Sequence, residues 1–77
     1  MESKQLSPLS MVTAGQKVKL VAVEAGKGLK GRLAAMGLVP GVEITVIGNG
    51  FPGPFVIGVR GSKMMFGKGM AHKIMVK

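Results

Sequence analysis

The sequence predicts a mostly β protein, a small SH3-like barrel of about five short strands with a short helix inserted after the first strand. Three observations support this prediction. Thirteen glycines and four prolines lie scattered through the chain without a G-X-Y period, as in short strands joined by tight turns. Several segments alternate apolar and polar residues. The chain has 77 residues, which suits a single small domain, 1–77, whose strands close or nearly close to remove exposed edges.

The first long strand is predicted over residues 17–24, where apolar residues change faces midway. Alternation places Val18 and Leu20 inward, whereas Val21 and Val23 lie on the face that began with lysines. Such a change of face is expected where a small barrel bends its strands.

A short helix is predicted next, with a well-specified end. Leu29, Leu33 and Met36 follow the i, i+4, i+7 spacing of one helix face. Gly37 suits the left-handed residue that ends a helix, and Leu38 after it can pack back on Leu33. A proline two residues later prevents continuation. The sequence therefore predicts a Schellman motif here.

Residues 42–47 and 55–60 alternate cleanly and predict two more strands. A two-residue type II′ turn at Gly61 and Ser62 is predicted to lead into a further strand at 63–66. The residues predicted to face inward on the two alternating strands are Val42, Ile44, Val46, Phe55, Ile57 and Val59.

The remaining segments are predicted as a turn, two loops and a last strand. Ser7 as N-cap and Pro8 after it predict one short helical turn. Residues 48–54 form a turn-rich loop, and residues 67–72 form a glycine-containing link. The last strand is predicted over residues 73–76, with Ile74 and Val76 pointing inward.

Composition excludes several functional classes. Eleven lysines and arginines against three glutamates give a net charge of +8, which indicates an anionic partner. The absence of cysteine excludes disulfides, thiolate metal sites and cysteine nucleophiles. The opening residues lack the apolar core of a signal peptide, and no apolar run is long enough to cross a membrane. We therefore expect neither an export signal nor membrane insertion.

Residues 32–41, RLAAMGLVPG, resemble the R-L-x-x-M-G-L-x-P-G signature of the FeoA family, ferrous iron transport protein A. Residues 9–16 are similar to the family's entry into its first strand. Residues 52–57 and 71–76 are similar to its Pro-Gly/Asp-Pro loop and its A-x-x-I-x-V ending. The resemblance covers nearly the whole chain, and its central decapeptide is the specific part.

The resemblance implies a stand-alone cytoplasmic protein that assists the membrane ferrous iron transporter FeoB by contact with its cytosolic GTP-binding region. It also implies recruitment to the inner face of the membrane through that partner. Similar barrels occur at the C-termini of iron-dependent repressors of the DtxR type, whose DNA-binding helical domain has no counterpart here. Residues 67–70 depart from the family's polar helical turn, so we expect a looser segment there.

The helix and its exit are the predicted partner-binding surface, because the helix should protrude from the barrel. Lys30 and Arg32 are the predicted charge contacts, and Leu38 and Val39 the predicted apolar contacts. Met36 belongs to the same set at its edge, although its spacing places it inward. The alternative for Arg32 is a solvated charge near the negative end of the helix dipole.

We expect no catalytic, metal or cofactor site. The chain has one histidine, three glutamates and no aspartate, too few groups for acid-base catalysis or for a specific ferrous site. His72 is expected to be exposed or hydrogen-bonded. The methionines are expected to fill the core or form an adaptable surface. Residues 26–31, GKGLKG, match neither phosphate-binding motif and predict a flexible loop into the helix.

A basic nucleic-acid-binding barrel of the KOW type is the alternative function. Phosphate contacts would come from Lys17, Lys19, Lys27 and Lys30. The helix stands where a KOW unit continues into a strand, and only three phenylalanines are available for base stacking. We therefore expect no nucleic-acid partner. Weak self-association through the methionine-rich last third stays open.

Overall fold

The computed structural model describes residues 6–50 and 53–77. Its strands are β1 (Ser7–Pro8), β2 (Lys17–Val23), β3 (Glu43–Asn49), β4 (Phe55–Val59), β5 (Ser62–Phe66) and β6 (Ile74–Val76). Its helices are α1 (Lys27–Ala35) and α2 (Lys68–Ala71), and a 3-10 turn spans Leu9–Met11. The mostly β, SH3-like class is confirmed, with the helix inserted after the first long strand.

The six strands form one antiparallel sheet in the order β1-β6-β2-β3-β4-β5. Within residues 6–50 and 53–77, no hydrogen-bonded pairing joins β1 to β5, so the sheet is not closed. The prediction that closure removes exposed edges is therefore wrong. β1 has only two residues, one of them a proline without an N–H donor, so it has little backbone to offer another strand.

The core lies where the strands turn their alternate residues inward. Eight residues were predicted to point inward from β3, β4 and β6 or from the position just before β3. Each of them is at most 8% exposed. Burial of each such side chain contributes about 1.5 to 3 kcal/mol, and no polar side chain in the described part of the chain is buried with them. These confirmed positions are Val42, Ile44, Val46, Phe55, Ile57, Val59, Ile74 and Val76.

The predicted change of face in β2 coincides with an irregularity in its pairing. Leu20 lies opposite Val76, but Ala22 lies opposite Met75, so two steps along β2 match one step along β6. The extra residue is Val21. A bulge of this kind bends the strand and turns the following side chains to the other face.

The β4–β5 connection differs from the predicted type II′ turn at residues 61 and 62. Val59 pairs directly with Ser62, so the two loop residues are Arg60 and Gly61. Both have positive φ, 52° and 84°, which is the pattern of a type I′ turn. The prediction is therefore one residue late, since alternation continued through Arg60 and gave no sign that a non-glycine residue would enter the left-handed region.

Arg60→Asn is expected to raise the free energy of unfolding by about 0.5 to 1 kcal/mol, because asparagine tolerates the left-handed conformation that costs other residues about 1 to 2 kcal/mol. Urea denaturation measures the change. Arg60→Lys keeps the charge without relieving the backbone and should leave stability unchanged. Equal stabilisation by both variants would mean that the left-handed backbone at residue 60 is not the cause of the change.

Two segments near the termini also differ from prediction. Ser7 pairs with Val76 in the sheet, and the helical turn begins only after Pro8, with no side-chain cap. The segment predicted as a looser link forms α2, because Ala71 is fully buried and Met70 packs against the core. Buried contacts thus outweigh the cost of the glycine inside α2, Gly69.

The loop predicted over residues 48–54 begins later than expected. Gly48 and Asn49 continue β3 opposite Val56 and Phe55, after a second pairing irregularity at Ile47. Residues 51 and 52 of this loop, of which Pro52 belongs to the family-like segment 52–57, lie outside the described residues.

Candidate site at helix α1

Helix α1 lies on the outside of the sheet and is mostly exposed. Only Leu33 is buried, and Leu29 is half-buried against the core, whereas the other residues of α1 are exposed. These two leucines stand at i and i+4 and attach one side of the helix to the sheet. The segment predicted as a flexible glycine loop is therefore partly helical, since α1 begins at Lys27.

The end of α1 is the predicted Schellman motif. Gly37 has a φ of +100°. The Leu38 N–H donates to the Leu33 carbonyl at 2.9 Å, and the Gly37 N–H donates to the Ala34 carbonyl at 3.0 Å. This pair of hydrogen bonds defines the motif, so the prediction is confirmed.

At this helix end, Leu38 differs from the predicted contact surface, and Met36 differs from its predicted inward direction. Leu38 is 2% exposed, because the motif folds it back onto the core, and its predicted role as an exposed apolar contact is wrong. Met36 was predicted to face inward but is 50% exposed, because it is the C-cap residue, where the helical spacing ends. Val39 is half-buried against the core.

An apolar groove of about 530 Å³ separates α1 from β2. Gly31 and Ala34 leave it open on the helix side, since neither has a large side chain. Lys30, which is exposed, stands at its rim. The groove is lined by Leu20, Val21, Ala22, Val23, Lys30, Gly31, Ala34, Leu38 and Pro40.

The structure separates the two predicted charge contacts. Lys30 lines the groove and Arg32 does not, because residues two apart on a helix point in nearly opposite directions. Arg32 lies in the last turn of α1, where its charge is favourable beside the helix C-terminus. Of the predicted set, the groove therefore brings together Lys30 and Leu38, with Arg32, Met36 and Val39 outside its lining.

A family model described as the FeoA domain matches residues 7–77. This chain belongs to the FeoA family. A protein of Methanocaldococcus jannaschii named "Putative Fe(2+) transport protein A" is 39% identical over 70 residues, which are 91% of this chain and 84% of the relative.

Solved structures agree with the FeoA assignment. A crystal structure of an iron uptake regulatory protein, FeoA, superposes with a TM-score of 0.84 at 35% identity, covering 96% of this chain and 97% of the other. A manganese-dependent transcriptional repressor matches with a TM-score of 0.83 at 16% identity, covering 97% of this chain and 42% of the repressor. At that identity the likeness concerns the fold alone.

The FeoA signature of this chain contains part of the groove but not its β2 wall. Sequence reasoning did not single out Val21, Ala22 or Ala34 as surface residues. A signal for the β2 side was present in Val21, which falls on the strand face that begins with lysines. Val23 follows the bulge and packs against the core. Apolar residues on an otherwise charged face, directly before a helix, indicate a surface that the helix covers only in part.

Neither a metal cluster nor a membrane-spanning helix is found within residues 6–50 and 53–77 of this FeoA-family chain. His72 is exposed, and its Nδ1 lies 3.1 Å from the Ser10 hydroxyl oxygen. The prediction of an exposed or hydrogen-bonded histidine is confirmed. The bond links the 3-10 turn to the end of α2.

Alanine substitution is expected to change the free energy of unfolding in opposite directions at Gly31, inside α1, and at Gly37, at its exit. Neither Gly31 nor Gly37 has a heavy atom within 4 Å of an added Cβ, so only the backbone decides. Gly31→Ala should raise the free energy of unfolding by about 1 kcal/mol, because Gly31 lies inside the helix. Gly37→Ala should lower it by about 1 to 2 kcal/mol, because its φ is left-handed. Thermal unfolding of both variants checks the signs, and two changes of the same sign would contradict this assignment.

Proposed function

We propose that this chain is a cytoplasmic accessory protein of ferrous iron uptake that acts by contact with the cytosolic GTP-binding region of the transporter FeoB. The observation that carries the proposal is the surface at α1, where an open apolar groove lies beside exposed cations. FeoA family membership supports the role in ferrous iron uptake. Ferrous iron is the cargo of the transporter, and the contribution of this chain is a protein contact.

The α1 surface has the two features that a protein partner needs. Its groove offers apolar area that is removed from water on binding. Lys30 at the rim and Arg32 on another side of the helix offer charges that favour an acidic partner surface and raise the association rate. The exposed Met36 adds an adaptable apolar side chain beside them.

A non-enzymatic role is part of the proposal. The described residues contain two glutamates and one histidine, and none of these is buried. Since none of these groups is buried, residues 6–50 and 53–77 offer no acid or base whose surroundings prepare it for catalysis. Any GTP hydrolysis in the complex would then belong to FeoB.

Binding of the purified protein to FeoB from the same organism, in detergent and at two salt concentrations, tests the proposal. We expect saturable binding that weakens with salt, since exposed charges are screened. An RNA and DNA panel serves as control, because the net charge of +8 alone would attract polyanions. Tight nucleic-acid binding without FeoB binding would contradict the proposal and favour the KOW-type alternative.

Charge reversal at the groove rim should separate this site from general basicity. Lys30→Glu is expected to weaken FeoB binding by about tenfold. Lys17→Glu makes the same change of net charge at the far end of β2 and should have a much smaller effect. Titration calorimetry measures both variants. Equal weakening by the two would mean that overall charge, and not the α1 surface, governs the contact.

A further inference from the structure

The free edge of β5 is a second surface of this protein that the function proposed above does not use. β5 is the last strand of the sheet and pairs only with β4 among the described residues. Because the β4–β5 turn has two residues, Val59 and Ser62 form a hydrogen-bonded pair. The alternation of an antiparallel ladder then turns the N–H and C=O groups of Lys63 and Met65 away from β4.

We propose that this edge binds an extended, acidic segment of a partner protein, which adds to the sheet as a strand beside β5. The unpaired N–H and C=O groups of Lys63 and Met65 select a peptide backbone, as in other proteins that accept a strand at a sheet edge. This surface is distinct from the α1 groove, so the proposal does not depend on the contact with FeoB.

Charge determines which extended segment fits. Lys63 and Arg60 line one groove on the outer face of the sheet, together with Gly58 and a single carboxylate, Glu43. Both cations are exposed. Side chains of an added strand that point to this outer face would lie next to Lys63, where a carboxylate is favourable and a cation is not.

The opposite face of an added strand meets a different surface. Met64 and Phe66 point inward from β5 and are half-buried against the core. An apolar side chain on the inner face of the added strand would extend this apolar row. The segment that fits therefore alternates acidic and apolar residues.

A second copy of the chain is a poorer occupant. Pairing β5 with β5 of another molecule would bring Lys63 and Arg60 of both copies into one patch, and each chain carries a net charge of +8. A lysine on an edge strand is a common protection against such self-pairing. The same lysine favours an acidic partner.

The probe for this site is the acetylated and amidated heptapeptide SEVEVES, with SKVKVKS as its matched control. In the free protein, hydrogen exchange followed by NMR should be fast at the backbone amides of Lys63 and Met65, and NMR shifts on titration locate the bound peptide. Saturation with SEVEVES should slow exchange at both amides, and its affinity should exceed that of SKVKVKS by about tenfold or more.

A pair of variants at one position distinguishes backbone pairing from side-chain attraction. Met65→Pro removes an N–H that does not face β4, so the β4–β5 ladder is kept and SEVEVES binding should be lost. Met65→Thr keeps that N–H and should still bind. Lys63→Glu, which alters only a side chain, should also abolish binding, and thermal unfolding verifies that each variant is folded.

Four results would overturn the proposal. Slow exchange of Lys63 and Met65 in the free protein at low concentration would mean that the edge is already covered. Protection that appears with protein concentration alone would assign the edge to a second copy. Shifts confined to α1 would place the peptide in the other groove. Equal binding of the two peptides would exclude recognition by charge.

Discussion

Replacing Phe55 with alanine is expected to lower the free energy of unfolding by about 3 to 5 kcal/mol. Phe55 is fully buried and is the largest such side chain in the described core. Its ring stacks on that of Phe66 with centroids 6.0 Å apart and planes 7° apart. Alanine would remove both the apolar burial and this ring contact, and would leave a cavity that strands β3 and β4 hold open.

The size of the chain makes this loss severe. A stability of about 0.05 to 0.15 kcal/mol per residue corresponds to about 4 to 12 kcal/mol for the chain, so Phe55→Ala would remove a large part of it. Urea denaturation measures the loss. Met65→Ala on the neighbouring strand is the control, because Met65 is 68% exposed and its loss should stay within about 0.5 kcal/mol. Similar losses for both would contradict the assigned burial.

Leu38→Ala is expected to lower the free energy of unfolding by about 2 to 5 kcal/mol. Leu38 is 2% exposed and forms the wall between the groove and the core. The hydrogen bond from its N–H to the Leu33 carbonyl involves only the backbone, so the Schellman motif would persist while its side-chain anchor is lost. Each kcal/mol corresponds to a fall in Tm of about 4 to 8 °C for a chain of this size.

Met36→Ala, two residues earlier, is the matched control for Leu38. Met36 is half exposed at the C-cap, so its truncation should change stability by at most about 0.5 kcal/mol. If Leu38→Ala left Tm unchanged and weakened binding to FeoB instead, Leu38 would be a surface contact and its burial would be wrong. Measuring Tm and binding for both variants distinguishes these results.

The end of α1 shows how far local sequence information reaches. Gly37 after a helical run, followed by an apolar residue and a proline, predicted the Schellman hydrogen bonds, because these depend only on neighbouring residues. The same motif decides that Leu38 is buried, since it turns the chain back onto the core. Leu38 would be exposed only if the exit continued the outer surface of the helix, and the motif prevents this.

Two other differences arise from contacts between distant parts of the chain. Residues 68–71 contain a glycine and have weak helical tendency on their own, yet they form α2 because Ala71 and Met70 reach the core. The turn at Arg60 and Gly61 takes its type from the pairing of Val59 with Ser62. Pairing between strands can impose a left-handed residue that local preference would disfavour.

The sequence by itself determined the class of fold, the alternating core positions, the change of face in β2 and the stop of α1. Each of these follows from periodicity or from a motif of a few neighbouring residues. The tertiary structure alone decided that the sheet stays open at β5, that Lys30 and not Arg32 borders the groove, and that Leu38 is core. These features depend on which surfaces meet in space, and residues close in sequence do not encode the packing of elements that lie far apart along the chain.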